Sequence, residues 1–178
     1  MKIETSRLNL IFTENPGAEM DPDSVLRVFN SNPDFIDDSE GRTGKFAYTL
    51  DEVKAWAMFQ QPLRAHQRYF AIRPIGSVEL IGMGDMLTPH PRGNYAALGL
   101  LIMHRDWQGQ GLGREAAEAL EAMLAAEQWR ELELVVLQVR PRSRSFWENC
   151  GYRYIGDSTN ETNQSCWVFR KALSRSHS

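Results

Sequence analysis

The chain has little cysteine, little histidine and no long apolar run. Cys150 and Cys166 stand alone, without metal-ligand spacing, which fits reduced, buried thiols in a reducing cytoplasm rather than a disulfide framework. The four histidines are scattered, so no metal site is expected. No segment approaches the roughly 20 apolar residues of a membrane-crossing helix. The opening MKIETSRLNLIF lacks the apolar stretch of a secretion signal. A net charge of −3 offers no broad basic surface to nucleic acid or to an anionic membrane. There is no repeat, no low-complexity segment and no linker. A length of 178 residues suits one well-cored α/β domain and is short for two. Residues 1–173 are therefore read as a single domain, and Ser174–Ser178 as a disordered, frayed tail.

What is present is concentrated in Leu98–Arg130, LGLLIMHRDWQGQGLGREAAEALEAMLAAEQWR. Leu98–Met103 is short and continuously apolar, the pattern of a strand covered on both faces. From Leu112 the period becomes helical. Leu112, Ala116, Leu120, Met123 and Leu124 fall on one face, and Arg114, Glu118, Glu121 and Gln128 on the other. Between strand and helix lies a loop with glycines at 109, 111 and 113. Such a loop presents unpaired N–H groups and the positive end of a helix dipole, a ready place for a phosphate; the alternative is a strand-to-helix turn whose glycines serve only its geometry. No Lys-Ser/Thr follows, so it is not a nucleotide P-loop, and the third glycine comes one residue early for the dinucleotide pattern.

The remaining segments arrange themselves around this unit. Glu4–Thr13 alternates as a first strand, and Glu14–Met20 reads as a loop. Asp21 can cap a helix that opens on Pro22 and ends at Asn30–Pro33. Pro33–Tyr48 is poorly patterned. Thr49-Leu-Asp-Glu52 is a capping box, starting a helix whose face continues through Val53, Trp56, Ala57 and Gln60 until Gln61-Pro62 stops it. Arg68–Arg73 and Val78–Leu87 read as antiparallel strands, with Gly82 and Gly84 marking a bulge or a close backbone approach. Glu131–Val139 is a strand expected to run parallel to Leu98–Met103, completing a crossover unit. A short helix carrying Ser143, Phe146, Trp147 and Cys150 then ends with Gly151 at C′. Two last strands follow, Tyr152–Ile155 and Ser165–Lys171, joined by the hairpin Gly156–Gln164.

Gln108-x-x-Gly111-x-Gly113 after an apolar strand resembles the pyrophosphate loop of the GNAT superfamily of N-acetyltransferases, which bind acetyl-CoA. Arg140–Tyr152 is similar to that family's second cofactor element, with Ser143, Trp147, Gly151 and Tyr152 at matching spacings. The opening ETSRLNL resembles the branch that includes ribosomal-protein alanine acetyltransferases. The resemblance implies an α/β fold: a mixed, mostly antiparallel sheet of about seven strands, splayed between two central parallel strands and flanked by helices. It implies acetyl-CoA as cosubstrate, held by Ile102, Met103, His104, Gln108, Gly109, Gln110, Gly111, Leu112, Gly113, Arg114, Arg140, Ser143 and Trp147. It also implies that Pro33–Tyr48 overhangs the acceptor, although its aromatics suit a core equally well.

Three departures bear on the chemistry. Arg140 stands where the family usually has an asparagine against the pantetheine arm. Trp147 replaces a frequent tyrosine acid, and an indole cannot titrate near neutral pH. Ala97 replaces a frequent glutamate base. Asp85 is the substitute base, its alternative being a carboxylate at a frayed strand end. Histidine is a residue type suited to proton transfer near neutral pH, but His90 and His104 read as turn residues. Arg105, Arg114, Arg140, Arg142 and Arg144 either meet CoA phosphates or form a solvated face. The expected activity is transfer of an acetyl group to a primary amine, on a small molecule or a protein N-terminus. The alternative is a non-catalytic acyl-CoA-binding module of the same fold. Exposed sheet edges leave room for a homodimer.

Overall fold

A computed structural model describes residues 1–13, 16–60, 66–160 and 162–174. Among them one eight-stranded sheet contains β1 (Lys2–Glu4), β2 (Leu8–Thr13), β3 (Gln67–Pro74), β4 (Gly82–Leu87), β5 (Ala96–Met103), β6 (Glu131–Leu137), β7 (Arg153–Thr159) and β8 (Ser165–Ala172). Their order across the sheet is β1-β2-β3-β4-β5-β6-β8-β7. Every neighbouring pair is antiparallel except β5 and β6, which are parallel. The strand expected at Glu4–Thr13 is two strands. Residues 5–7 are the tight turn between them, closed by the Thr5 N–H donating to Leu8 O at 2.9 Å, and their polar groups also reach a distant carboxylate, Glu115.

Among the described residues seven helices pack on the sheet's two faces: α1 (Pro16–Glu19), α2 (Pro22–Asn30), α3 (Pro33–Ser39), α4 (Leu50–Lys54), α5 (Ala57–Gln60), α6 (Leu112–Ala126) and α7 (Pro141–Asn149). On one face Leu8, Leu10, Phe70, Leu98, Leu134 and Phe169 meet Leu112, Ala116, Leu120 and Leu124 of α6 and Trp147 of α7. On the other, Ala71, Met83 and Ile102 meet Val25, Val28 and Phe29 of α2, Ile36 of α3 and Val53 of α4. Burying a leucine of this kind contributes about 1.5–3 kcal/mol, so α6 is held by its apolar stripe. Glu121, on the polar face by period, is largely covered because Lys171 of β8 reaches its Oε2.

Local chemistry explains the helix boundaries. Asp21 accepts from the Ser24 N–H at 2.9 Å, with Pro22 in the first turn. The Thr49–Glu52 capping box is closed in both directions. Its helix is shorter than its apolar period suggests, since Ala55 and Trp56 interrupt it before α5. Part of Pro33–Tyr48, unpatterned by sequence, is α3, started by Pro33 and anchored by Ile36. A one-turn helix, α1, lies in the segment read as a loop. The Gly151 N–H donates to Glu148 O and the Tyr152 N–H to Trp147 O, with φ +90° at Gly151, so α7 closes in a Schellman turn. The stop read at Gln61-Pro62, and residues 175–178 of the tail, lie outside the described residues.

Gly82 and Gly84 mark close approach. A Cβ at Gly84 would collide with the Leu100 carbonyl and the Phe70 ring, and one at Gly82 would lie 2.7 Å from the Ile102 carbonyl. The irregularity itself falls one step on. Asp85 pairs with Leu100 and Met86 with Leu98, leaving Gly99 as an extra residue on β5.

Candidate active site

β5 and β6 pair only from Ala96 to Leu98 and from Leu132 to Leu134. Beyond the Gly99 bulge they part. The opening is a cleft of about 280 Å³ lined by Leu98–Leu101, Leu134–Leu137, Arg140, Ser143 and Trp147, with Phe35 and Ser39 of α3 and Asn160 and Cys166 from the β7–β8 hairpin. The backbone of β5 supplies polar groups at this gap. The His104 N–H donates to Ile81 O, and the carbonyls of Leu100 and Ile102 lie over β4. By alternation, Leu101 and Met103 turn their N–H and C=O toward the splay. The Met103 carbonyl is already taken, accepting from Asn32 Nδ2 at 3.0 Å and Gln108 Nε2 at 2.9 Å. Ile102 and Met103 are themselves buried and sit just past the cleft walls, so the gap opens about three residues before them.

The loop beyond β5 is a short 3-10 turn, Arg105–Trp107, started by His104, followed by the glycines. Gly109 and Gly111 have φ of +73° and +80°, the left-handed region where a Cβ is strained. Gly111 is the N-cap of α6, and no side chain caps that helix. The first N–H groups of a 15-residue helix, those of Leu112, Gly113 and Arg114, therefore lack the acceptor a Ser or Asp cap would provide. Gly113 faces Phe146, with 3.6 Å from a Cβ position to the ring, so the first turn of α6 abuts the helix whose Ser143 and Trp147 line the cleft. α7 thus packs against the first turn of α6 and also carries two residues of the cleft wall.

Not every polar side chain of the loop points outward. Gln108 Nε2 donates inward to Asn32 Oδ1 (2.7 Å) and Met103 O, fastening the loop to the α2–α3 junction. Gln110 Nε2 folds back on Asp106 O at 2.8 Å. Among the five arginines, Arg105 meets Asp34 and Ser31 O, Arg144 meets Glu148, and Arg140 bonds Asp38 at 3.0 Å above the Phe35 ring. Arg114 and Arg142 are exposed, with no ion-pair partner among the described residues. Asp38 also accepts from Arg42, and its carbonyl accepts from Gln164 at 2.7 Å. That residue binds α3, the β6–α7 connection and the β7–β8 hairpin around one end of the cleft.

Asp85 lies on β4 opposite Tyr69 and Leu100. Its carboxylate sits against the bulge: a Cβ on Gly99 would be 2.8 Å from Oδ1 and 3.0 Å from Oδ2. Burial pushes the carboxyl above its ordinary value, and the long hydrogen bond from Gln67, 3.4 Å, opposes this only weakly. Ala97 pairs across the parallel ladder with Glu133, which Arg170 engages at 2.6 Å. His90 stacks on Tyr95 with Nδ1 2.9 Å from its hydroxyl, and His104 Nδ1 accepts from the Asp106 N–H, which places both in turn architecture. Tyr152 is buried beneath the α7 cap.

Three parts of this arrangement were not read from the sequence. Asn32 anchors Gln108, Asp38 gathers the cleft's far end, and Thr5–Ser6–Arg7 grips Glu115 of α6. Only the last left a trace, a polar ETSR run inside an otherwise alternating strand.

Comparison with known proteins agrees with the geometry. A search of curated protein sequences found no match. Among solved structures the chain is similar to an acetyltransferase from Thermus thermophilus, with 25% identity, 97% of this chain and 100% of that chain covered, and a TM-score of 0.72. A GNAT-family acetyltransferase from Bacillus anthracis shares the fold at 14% identity, 97% and 99% coverage and TM-score 0.72. So does a chimera of the spermidine N-acetyltransferase SpeG from Vibrio cholerae with hSSAT, at 17% identity, 94% and 96% coverage and TM-score 0.65. The profile of the Acetyltransferase (GNAT) family matches residues 34–152, from α3 to the tyrosine after the α7 cap, and the chain belongs to that family.

Proposed function

We propose that this chain transfers the acetyl group of acetyl-CoA directly to a primary amine, on a small molecule or a protein N-terminus. The observation that carries the reading is the uncapped N-terminus of α6 packed against α7, the helix whose Ser143 and Trp147 line the β5–β6 cleft. The helix end suits a diphosphate and the cleft a slender acyl-bearing arm. Gly109 offers the fit: nothing lies within 4 Å of a Cβ position there, so an anion can reach the backbone N–H groups of 109–114. Arg114 and Arg142 add charge near that mouth. Acetyl-CoA supplies an activated acyl group as a thioester.

The chain's own residues then have three tasks. Leu98–Leu101 and Leu134–Leu137 hold the arm between strands. A backbone N–H turned into the splay, at Leu101 or Met103, donates to the carbonyl oxygen that gains charge at the transition state. Asp85, desolvated beside Gly99, takes the proton that the attacking amine must lose; an amine of pKa about 8 to 10.4 is mostly protonated at pH 7. Trp147 shapes the cleft wall but cannot supply a proton, so the departing thiolate is protonated by water. Residues 1–173 act as one catalytic domain.

Release of free thiol from acetyl-CoA against a panel of amines tests the proposal. Turnover with any amine, and recovery of the acetylated product, supports it. Tight CoA binding with no thiol release for any amine would instead make the chain an acyl-CoA-binding module.

A further inference from the structure

Glu115 stands in the first turn of α6, and its carboxylate points to the N-terminal strands instead of solvent. Oε1 accepts from Thr5 Oγ1 (2.6 Å), Ser6 Oγ (3.0 Å) and the Arg7 N–H (2.9 Å). Oε2 accepts from Arg7 Nε at 2.7 Å and pairs with Nη2 at 2.7 Å. The remaining guanidinium nitrogen, Nη1, donates to the Gln110 carbonyl at 3.0 Å. Three consecutive residues, the turn that joins antiparallel β1 and β2, thereby grip a helix more than 100 positions away.

We propose that Thr5–Ser6–Arg7 is a brace for the phosphate-facing loop, with Arg7 the positioning residue that orients the Gln110–Gly111 peptide. In a trans peptide the C=O and N–H point in opposite directions. Fixing the Gln110 carbonyl on Arg7 turns the Gly111 N–H to the side away from Arg7 and keeps that peptide from rotating beside Gly109, where the backbone is open. The same arginine neutralises Glu115, whose charge would otherwise lie in the first turn of a helix expected to receive an anion. Burial opposes that charge, yet the hydrogen bonds from Thr5, Arg7 and Ser6 prevail and hold the carboxyl down at about 2. The carboxylate is therefore a permanent acceptor, and the brace does not loosen with pH in the physiological range.

The inference rests on the acetyl-CoA reading, so its test compares two acyl donors. S-acetyl-pantetheine carries the same thioester and arm without the diphosphate. Arg7→Ala is expected to raise KM for acetyl-CoA about tenfold, the order of one lost charge-assisted hydrogen bond, with kcat near wild type and KM for S-acetyl-pantetheine unchanged. Arg7→Lys keeps the charge but not the fork and should fall between. Arg7→Met, which keeps the apolar stem and removes every donor, serves as the second variant should Arg7→Ala fail to fold, and should show the same donor-selective loss. Equal weakening toward both donors, or an unchanged KM for acetyl-CoA, would overturn the brace. Wild type that neither binds nor uses acetyl-CoA would overturn the functional reading and the brace together.

Discussion

Replacing Asp85 with asparagine keeps the side chain's shape and removes only its ability to accept a proton. A positioned general base contributes about 10²–10⁴ in rate, so Asp85→Asn should lower kcat/KM roughly a hundredfold at neutral pH while leaving CoA affinity unchanged. The pH dependence follows from the direction of the shift. Burial raises the folded-state pKa, the base form exists only above it, and wild-type kcat/KM must fall as pH drops through that value. The variant should lack that limb. Stability should move the other way. A carboxylate whose folded pKa is raised costs stability once ionised, a cost that is absent below the unfolded pKa and complete above the folded one. Asp85→Asn should therefore melt no lower than wild type at neutral pH. Gly99→Ala probes the same group by geometry. Its Cβ would lie 2.8 Å from Oδ1, under the roughly 3.5 Å of ordinary contact, and the carboxylate would shift by about 0.5–1 Å. Misplacement on that scale costs up to about a hundredfold. Stopped-flow or steady-state thiol release across pH is the assay. An Asp85→Asn enzyme with wild-type kcat/KM and an unaltered profile would refute the assignment.

Two further outcomes follow from the loop and its brace. Gly111→Ala should lose about 1–2 kcal/mol of stability through the +80° φ, whereas Gly111→Asp should also weaken CoA binding roughly a hundredfold, from about 3 kcal/mol of repulsion at some 5 Å in a medium of effective dielectric near 20; calorimetry would separate the two, and equal CoA affinity in both variants would contradict a diphosphate there. Glu115, held at about 2 against an ordinary 4.5, contributes stability that is complete above pH 4.5 and is lost as pH falls through 2. Melting curves of Glu115→Gln and wild type should therefore converge with acidification over that window, and parallel curves would contradict the pairing.

Features carried by neighbours in sequence are legible in the sequence itself. The apolar run at Leu98–Met103, the glycines and the stripe of α6 declare a crossover unit because each signal is local. The same holds for the Asp21 cap, the Thr49–Glu52 box, the Gly151 turn and the tight approach at Gly82 and Gly84. What escaped was set by partners far along the chain. Nothing near residue 7 reveals that its guanidinium meets Glu115, and nothing near Gln108 reveals that its amide turns in to Asn32. The bulge at Gly99 depends on the register of β4, a property of two strands together. The break between α4 and α5 overrode a continuous apolar period, and α3 formed where the period was weak.

The most direct test of the central claim is to titrate the protein with CoA and follow its backbone amide resonances by NMR. The account requires saturable shifts centred on residues 109–113, with further changes at Leu101 and Met103 where β5 leaves β6. Saturable binding that moves other amides and leaves 109–113 untouched would contradict it.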